Sequence, residues 1–418
     1  MNQLSNGGRM RVLIVGGGVA GQAAAFWLRR AGHEIVVIER HPGLRASGAQ
    51  VDLRGQGIEA VERMGLLPAV RAIKVAEPGV AFVDHKGVRW GKVMANTSGQ
   101  GAQTMTSEYE LMRGDLVRVL RDAVDDGVDY RYGVTVARIE QDETAAVVTF
   151  SDDRVEAFDL VIGADGQGSR TRSLVLGADT PELCRPIGIH MAYWFVPRLP
   201  ADDDIRDSYL AGNRRMIMRR SHNATDTQVY FSMWDESAEA AAIHRKSTEE
   251  QKRFWADRYR GAGWQADRFL DGLGDTEFFY SQQVVQVRAE RWSRGRVVLL
   301  GDAGYCPSPY SGMGTSLALV GAHVLAHSLA SHPGDLGTAL QHYETTLRPF
   351  VEHVQDAVNP KLLRFGFPQG RSGVYAMLTV ARVLSTLRLP EIAARFARSD
   401  RGGQWQLPEM AATGSPVA

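Results

Sequence analysis

Cysteine is nearly absent from this chain: Cys184 and Cys306 are the two among 418 residues. Two cysteines make neither a disulfide framework nor a metal site, and they fit a reducing, cytoplasmic setting. No run of 18 uninterrupted apolar residues occurs, so neither a spanning helix nor stable membrane insertion is expected. Residues 1–10 are polar and glycine-rich, without the apolar core of a signal peptide. Neither sign of charge is in excess: Lys plus Arg and Asp plus Glu each total 48. That balance gives no bias toward nucleic acid or an acidic surface. Internal repeats and long linkers are also missing. What is left is an ordinary globular composition, 44% hydrophobic and 23% charged, in a chain long enough for two or three domains.

Against this plain background one stretch stands out: Gly16-Gly17-Gly18-Val19-Ala20-Gly21. It follows the apolar run Val12-Leu13-Ile14-Val15 and precedes an alanine-rich segment ending near Ala31. Strand, glycine turn and helix in that order can hold a pyrophosphate. Gly16 permits the tight turn, Gly18 lets the backbone approach the phosphates, and Gly21 lets the helix pack on the strand. The helix N-terminus then presents free N–H groups and partial positive charge. A second β-rich run, His33 to Ile38, ends in Glu39, where the fingerprint wants an acceptor for ribose hydroxyls. A lone glycine-rich loop is weak evidence; here strand, helix and acid are all in place.

Residues 11 to about 180 alternate strands and helices, the signature of a doubly wound sheet. Helical spacing occurs over Gly57–Leu67 and Leu111–Val124; Ala145–Phe150 and Phe158–Ile162 read as strands. From about 185 the character changes. Ile187–Val196, Arg215–Met218, Val229–Trp234 and Phe278–Val287 are β-rich with polar breaks, and they predict an antiparallel sheet interrupted by a helix near Ser247–Arg260. The first style returns at Val297-Val298-Leu299-Leu300, followed by glycines and helices over about Thr315–Ser331, Thr338–Val358 and Val374–Leu389. The expected division is therefore 1–180 and 291–360 for one α/β domain, 181–290 for an inserted sheet domain, and 361–418 for a C-terminal helical segment. The helix Val374–Leu389 reads as a lid or core element, with a peripheral membrane contact as the other reading. The chain after about Ser399 reads as loosely held.

Two more motifs decide the class. One is Asp159-Leu160-Val161-Ile162-Gly163-Ala164-Asp165-Gly166, followed by Ser169 and Arg172. The other is Gly301-Asp302-Ala303-Gly304, followed by Pro307, Pro309 and Gly312-Met313-Gly314. Either alone is a common turn after a strand. Together with the opening fingerprint, and split by an antiparallel insertion, they resemble the single-component FAD-dependent monooxygenases. That family includes para-hydroxybenzoate hydroxylase, polyketide-tailoring hydroxylases and the tetracycline-inactivating monooxygenases. The resemblance spans roughly residues 10–360 and implies a Rossmann-like FAD-binding domain split by a substrate domain, with C-terminal helices.

The resemblance also implies residue roles. Gly16, Gly18, Val19, Ala20 and Gly21 would cradle the FAD pyrophosphate, and Glu39, with Arg40 beside it, the adenosine end. Arg113 would reach the cofactor from a helix start, and Asp165 would lie near both nucleotides. Asp302 would bond the ribityl chain, with Gly312, Met313 and Gly314 beneath the flavin ring. The stretch Arg45 to Asp52 resembles the tetracycline-inactivating branch, placing Arg45 near the nicotinamide cofactor and Asp52 near FAD. Most arginines are surface charges, so Arg45 and Arg113 rest on the resemblance. The chain departs from the commonest pattern at Gly304 and Tyr305, where alanine and histidine are frequent, and at Ser316 and Gly321, where asparagine and aspartate are.

The residue types make chemical sense independently. Two phosphates and a polyol call for a glycine turn and a carboxylate acceptor. Reduced flavin is an anion that a helix N-terminus at Gly312–Gly314 would stabilise by up to about 2 kcal/mol when partly buried. No side chain need perform the oxidation, because the cofactor carries it. The implied cycle takes electrons from NADPH or NADH, which binds transiently in the absence of a second fingerprint. Oxygen then passes from O2, through a flavin hydroperoxide, to an aromatic or polyketide-like small molecule. Tyr193, Arg214, Met216 and Phe231 are candidate substrate contacts on the antiparallel sheet, against a background of plain sheet packing. Alternation predicts Arg214 and Met216 on one face, with Arg215 and Ile217 on the other. His190 and His222 are candidate bases, although a lone histidine is more often structural, and Cys306 reads as a small buried filler rather than a covalent flavin link. No metal site is expected, and the protein is expected as a monomer or homodimer. The alternative activity is an FAD-dependent reductase or dehydrogenase without oxygen insertion.

Overall fold

The computed structural model describes residues 8–44, 48–96, 107–124, 126–177, 183–389 and 405–410. The strand Arg11–Val15 is almost wholly buried: parallel neighbours flank it, Val12 and Ile14 pack under helices, and Leu13 and Val15 pack against a three-stranded sheet of Val136–Gln141, Ala146–Phe150 and Val155–Phe158. It pairs with Glu34–Glu39 on one side and Leu160–Gly163 on the other. The full sheet runs Ser293–Arg294, Val297–Leu299, Leu160–Gly163, Arg11–Val15, Glu34–Glu39, Val128–Tyr132, and is parallel except at its first pair. Strand order reverses direction at Arg11–Val15. The three sequence motifs and Glu39 therefore leave from the carboxyl ends of four adjacent strands, the crevice in which doubly wound sheets bind ligands.

The helix Val19–Arg30 buries its first ten residues, Ala20 and Ala23–Ala25 among them, and packs on the long helix Gly314–Ser331. Small side chains allow that close approach. The helix Leu336–Asp356 packs behind it. Trp405 stacks on Phe350 at 4.8 Å between ring centroids, and Arg63 donates to the carbonyls of Leu407 and Pro408. Residues 405–410 are thus docked on the α/β body, contrary to the expectation of a loose tail.

A second sheet has seven strands in the order Phe279–Val287, Cys184–Pro197, Asp226–Trp234, Arg215–Ser221, Arg206–Gly212, Gly79–Val83, Arg89–Met94. It is antiparallel except where Arg206–Gly212 runs parallel to Gly79–Val83. Two of its strands come from before residue 180, so a cut at 180 does not follow the sheets. The helices Thr248–Tyr259 and Ala266–Asp275 cover one face, burying Trp255, Tyr259 and Phe269. The helix Arg371–Thr386 lies along the edge strand Arg89–Met94. There the Ser385 hydroxyl accepts from the Lys92 N–H (3.0 Å) and donates to its carbonyl (2.8 Å), capping an edge that would otherwise be open. Leu378 is its one fully buried residue, so it is not a core helix. The predicted helix Leu111–Val124 divides into a strand, Glu110–Met112, and a helix, Arg113–Asp122.

Beneath the covered face, His190 and His244 stack and share a hydrogen bond of 2.8 Å. His190 also meets the Asp235 carbonyl, and His244 the Ser281 hydroxyl. Neutral rings satisfy this chain in one direction. Burial lowers both histidine pKa values, His244 to about 4, and burial likewise lowers His323 to about 4. In the unfolded chain these groups take protons near pH 6.5, so the unfolded state binds more protons than the folded one between there and about 4. Stability should be fully present above about pH 6.5 and fall as pH drops toward 4. Melting curves at pH 7, 6 and 5 test this, and the decline should be shallower in His244→Gln. A pH-independent midpoint would exclude buried neutral histidines.

Candidate active site

The glycine turn is shaped by backbone contact. Gly16 has φ +111°, and a Cβ there would lie 2.5 Å from the Ala164 carbonyl oxygen. A Cβ on Gly21 would lie 1.9 Å from the Gly16 carbonyl oxygen. Both positions are therefore closed to any side chain by the protein itself. Gly18 differs: no described atom lies within 4 Å of where its Cβ would be. The space in front of Gly18 suits a ligand, and the helix Val19–Arg30 opens onto it without a side-chain cap or an acid in its first turn. The Glu39 carboxylate sits over the turn, accepting from the Gly17 and His41 N–H groups at 3.0 Å each. Arg40 is exposed beside it, and Arg45 lies outside the described residues.

Asp165 turns its carboxylate into its own loop. Its Oδ1 accepts from Ser169 Oγ at 2.5 Å, and its Oδ2 from the Thr171 N–H and hydroxyl at 3.0 and 3.1 Å. In this arrangement Asp165 shapes the loop, and its oxygens are already engaged. Buried Arg172 joins the second and third motifs by donating to the carbonyls of Ala303 and Gln167, each at 2.9 Å.

The remaining polar residues converge. Asp302 begins the short helix Asp302–Tyr305, and a Cβ on Gly314 would lie 3.8 Å from its Oδ1. Desolvation raises the Asp302 pKa, opposed by a hydrogen bond with Cys306 and the charge of Arg113. Gly312 has φ +63°, and a Cβ there would sit 3.3 Å from Arg54 Nε and 3.5 Å from Asp52 Oδ2. Arg54 and Asp52 form an ion pair of 2.9 Å, and the Arg54 N–H donates to Ser316 Oγ at 3.0 Å. The small sheet of Gln50–Asp52 with Glu110–Met112 carries Asp52 on one strand and leads into Arg113 from the other. A Cβ at Gly48 would lie 2.9 Å from Arg113 Nε, so glycine there lets that side chain lie flat. Arg54 and Ser316 escaped the sequence reading as site residues. The signal for Arg54 was its spacing from Asp52, since residues i and i+2 of an extended segment share a side.

The seven-stranded sheet turns its other face toward these loops. Tyr193, Tyr230, Met191, Met216, Met218 and Tyr280 lie on it, together with Ala49 and Tyr310 from the α/β body. Tyr193 and Tyr230 are register partners with rings 5.2 Å apart. Two expectations fail. Phe231 points to the helix-covered face, fully buried against Tyr259 at 4.2 Å. Arg214 is not in a strand: with Asn213 it occupies the left-handed region, at φ +58°, in the hairpin turn before Arg215–Ser221. Its backbone N–H donates to Pro368 and its carbonyl accepts from Trp234. Arg215 goes to the helix-covered face, donating to the Arg258 carbonyl. His190 is on that covered face as well, which agrees with a structural role.

A phosphate-sized space before an uncapped helix, a recessed carboxylate and a second glycine-led helix start fit a dinucleotide bearing a flavin. Residues 9–358 match the FAD binding domain family, and the chain belongs to that family. It is similar to FAD-dependent monooxygenase asL4 of Sarocladium schorii, 35% identical over 96% of this chain and 98% of that one. Flavin-dependent monooxygenase eupH of a Phoma species is 34% identical over 96% and 97%. Among solved structures, tetracycline destructase Tet(51) matches with a TM-score of 0.75 at 30% identity, covering 91% of this chain and 98% of that one. The protein is an FAD-dependent monooxygenase.

The departures at Tyr305 and Gly321 compensate each other. A Cβ on Gly321 would lie 2.0 Å from the Tyr305 hydroxyl, which is held by Tyr343 at 2.9 Å. Gly321→Ala should cost about 1–3 kcal/mol through overpacking, and much less in a Tyr305→Phe background. Denaturant unfolding of the four proteins gives the coupling; additive costs would refute it.

Gly18→Ala and Gly21→Ala separate ligand space from packing. Gly18→Ala should melt like the parent yet hold FAD about tenfold more weakly or worse, if its methyl group enters space that the pyrophosphate needs. Gly21→Ala should lose both stability and flavin. Parental FAD affinity in Gly18→Ala, measured by titration, would remove the pyrophosphate from this turn.

Proposed function

We propose that the protein uses NADPH or NADH and O2 to hydroxylate an aromatic or polycyclic, polyketide-like small molecule. The observation that carries this reading is the aromatic and methionine face of the large sheet, directed at the loops that gather Asp52, Arg113, Asp302 and Gly312–Gly314. Flat rings pack well on tyrosine and on the adaptable, polarizable thioether of methionine. The similar tetracycline destructase is itself named for a polycyclic compound.

When bound, FAD supplies the redox chemistry, accepting hydride from the nicotinamide and activating dioxygen. The chain's residues bind and orient. The turn Gly16–Gly21 would take the pyrophosphate, Glu39 the ribose and Asp302 a ribityl hydroxyl. The N-terminus of Gly314–Ser331 would offset negative charge on the flavin ring, with Asp52, Arg54 and Arg113 around it. Tyr193, Met216 and Tyr230 would hold the substrate ring and exclude water. Tyr230 is no base: burial raises its pKa, and it donates to Gln228 at 2.7 Å while accepting from the Gln50 N–H at 3.2 Å.

The test is nicotinamide oxidation under isotopically labelled dioxygen, with polycyclic phenols as candidates. One labelled oxygen atom should enter the product, and substrate should accelerate flavin reduction. Turnover that persists without oxygen would favour a reductase instead. Met216→Ala should raise KM and uncouple oxygen use while leaving the FAD spectrum intact. Phe231→Ala should instead cost about 3–5 kcal/mol of stability. If Phe231→Ala, and not Met216→Ala, alters substrate handling, the substrate lies on the other face.

A further inference from the structure

The C-terminal helical segment carries an apolar surface that the fold does not use. The helix Arg371–Thr386 meets the edge strand through Ala381 and Ser385, with Tyr375 and Arg382 near the Trp90 ring. Val374, Met377, Leu378, Ala381 and Ser385 form a stripe with helical spacing, of which Leu378 is buried and the rest half-buried. Its other side repeats the pattern outward: Val380, Val383, Leu384 and Leu387 are exposed, Leu387 at 57%. The preceding short helix, Pro360–Phe365, exposes Leu362 and Phe365, the latter at 76%. Large exposed apolar side chains elsewhere in the described chain are scattered along it, whereas here they gather in one segment. Among the described residues this second apolar stripe is left unburied.

Charge identifies what suits it. Between Asp356 and Glu391 the sequence has Lys361, Arg364, Arg371, Arg382 and Arg388 and no acidic residue, in a chain whose total charge is zero. Each of these five side chains is exposed. A two-fold dimer through this surface would set like charges opposite one another. An exposed apolar stripe flanked by basic side chains is the pattern of a helix lying in the interface of an anionic bilayer. No helix among the described residues is long and apolar enough to cross a membrane, so contact would be peripheral.

We propose that the outer side of Arg371–Thr386, with the segment 360–370 before it, adsorbs to anionic lipid. The apolar side chains enter the headgroup boundary and the basic ones meet lipid phosphates. Leu363 and Phe367 of the same segment pack into the cluster of Tyr193 and Met216, but the exposed side chains named here are not among the proposed flavin and substrate contacts, and the inference does not depend on the substrate reading.

The experiment is co-sedimentation of the full FAD-loaded chain with vesicles of phosphatidylcholine, alone or with phosphatidylglycerol. Binding should require phosphatidylglycerol and weaken as salt is raised. The exposed-site double variant Val383→Glu/Leu387→Glu should lose at least about tenfold in vesicle affinity. Its melting temperature and flavin spectrum should stay parental. A control, Val88→Glu, alters an exposed valine outside this segment and should bind like the parent. No sedimentation with phosphatidylglycerol vesicles, or undiminished binding by the double variant, would overturn the proposal. So would light scattering that shows a parental dimer which the double variant converts to a monomer, because a second copy would then be the occupant.

Discussion

The structure depends on one close backbone approach. Gly21 lies so near the Gly16 carbonyl that a methyl group would overlap it, and Gly16 also lies too close to Ala164 to carry one. These contacts seat the helix Val19–Arg30 directly on the turn and hold two parallel strands' carboxyl ends side by side. The helix is then committed to pack its alanine face on Gly314–Ser331. That second helix begins at the glycines opposite Asp302. A contact at the first glycine turn thus helps set where the second glycine-led helix begins.

The two sheets are joined by polar groups that burial makes strong. Arg220, on the strand Arg215–Ser221, donates to Glu77 at 2.7 and 2.9 Å and to Glu110 at 2.8 Å. Glu110 pairs in register with Asp52, and desolvation raises its pKa. Gln50 donates to the Ser221 carbonyl, and Gln228 to that of Gly48. Breaking a buried pair of this kind leaves an uncompensated charge, at a cost of about 3–5 kcal/mol. The strand that bears Met216 and Met218 is in this way bonded to the small sheet that carries Asp52 and leads into Arg113. The tyrosine and methionine face is therefore tied by buried polar bonds to the residues gathered around Gly312.

The family departures illustrate the same economy of space. Tyr305 sends its hydroxyl to Tyr343, which in turn donates to the Leu299 carbonyl. That hydroxyl fills the volume a side chain at 321 would need. Ser316 likewise fills the space beside Gly57, where a Cβ would lie 2.4 Å from its Oγ, and it receives the Arg54 N–H. Tyr305, Ser316 and Gly321 are each matched by a neighbour distant in sequence.

The sequence by itself determined the strand–turn–helix of residues 11–30, the acid at Glu39, the motifs at Asp165 and Asp302 and the presence of an antiparallel insertion. Those signals are local: glycine spacing, apolar runs and alternation are set by residues a few positions apart. Alternation states that Tyr230 and Phe231 face opposite ways, yet not which of them faces the cofactor loops. That choice belongs to whichever layer covers each face, and the helices 248–275 cover the face of Phe231. Arg214 reads as strand because it adjoins one, whereas the hairpin needed two left-handed residues and took Asn213 and Arg214. The strands 79–83 and 89–94 join the large sheet by pairing across more than a hundred residues. Trp405 returns from the far end of the chain to stack on Phe350. Only tertiary structure decided these points, because each rests on a contact between segments that carry no mark of one another in the sequence.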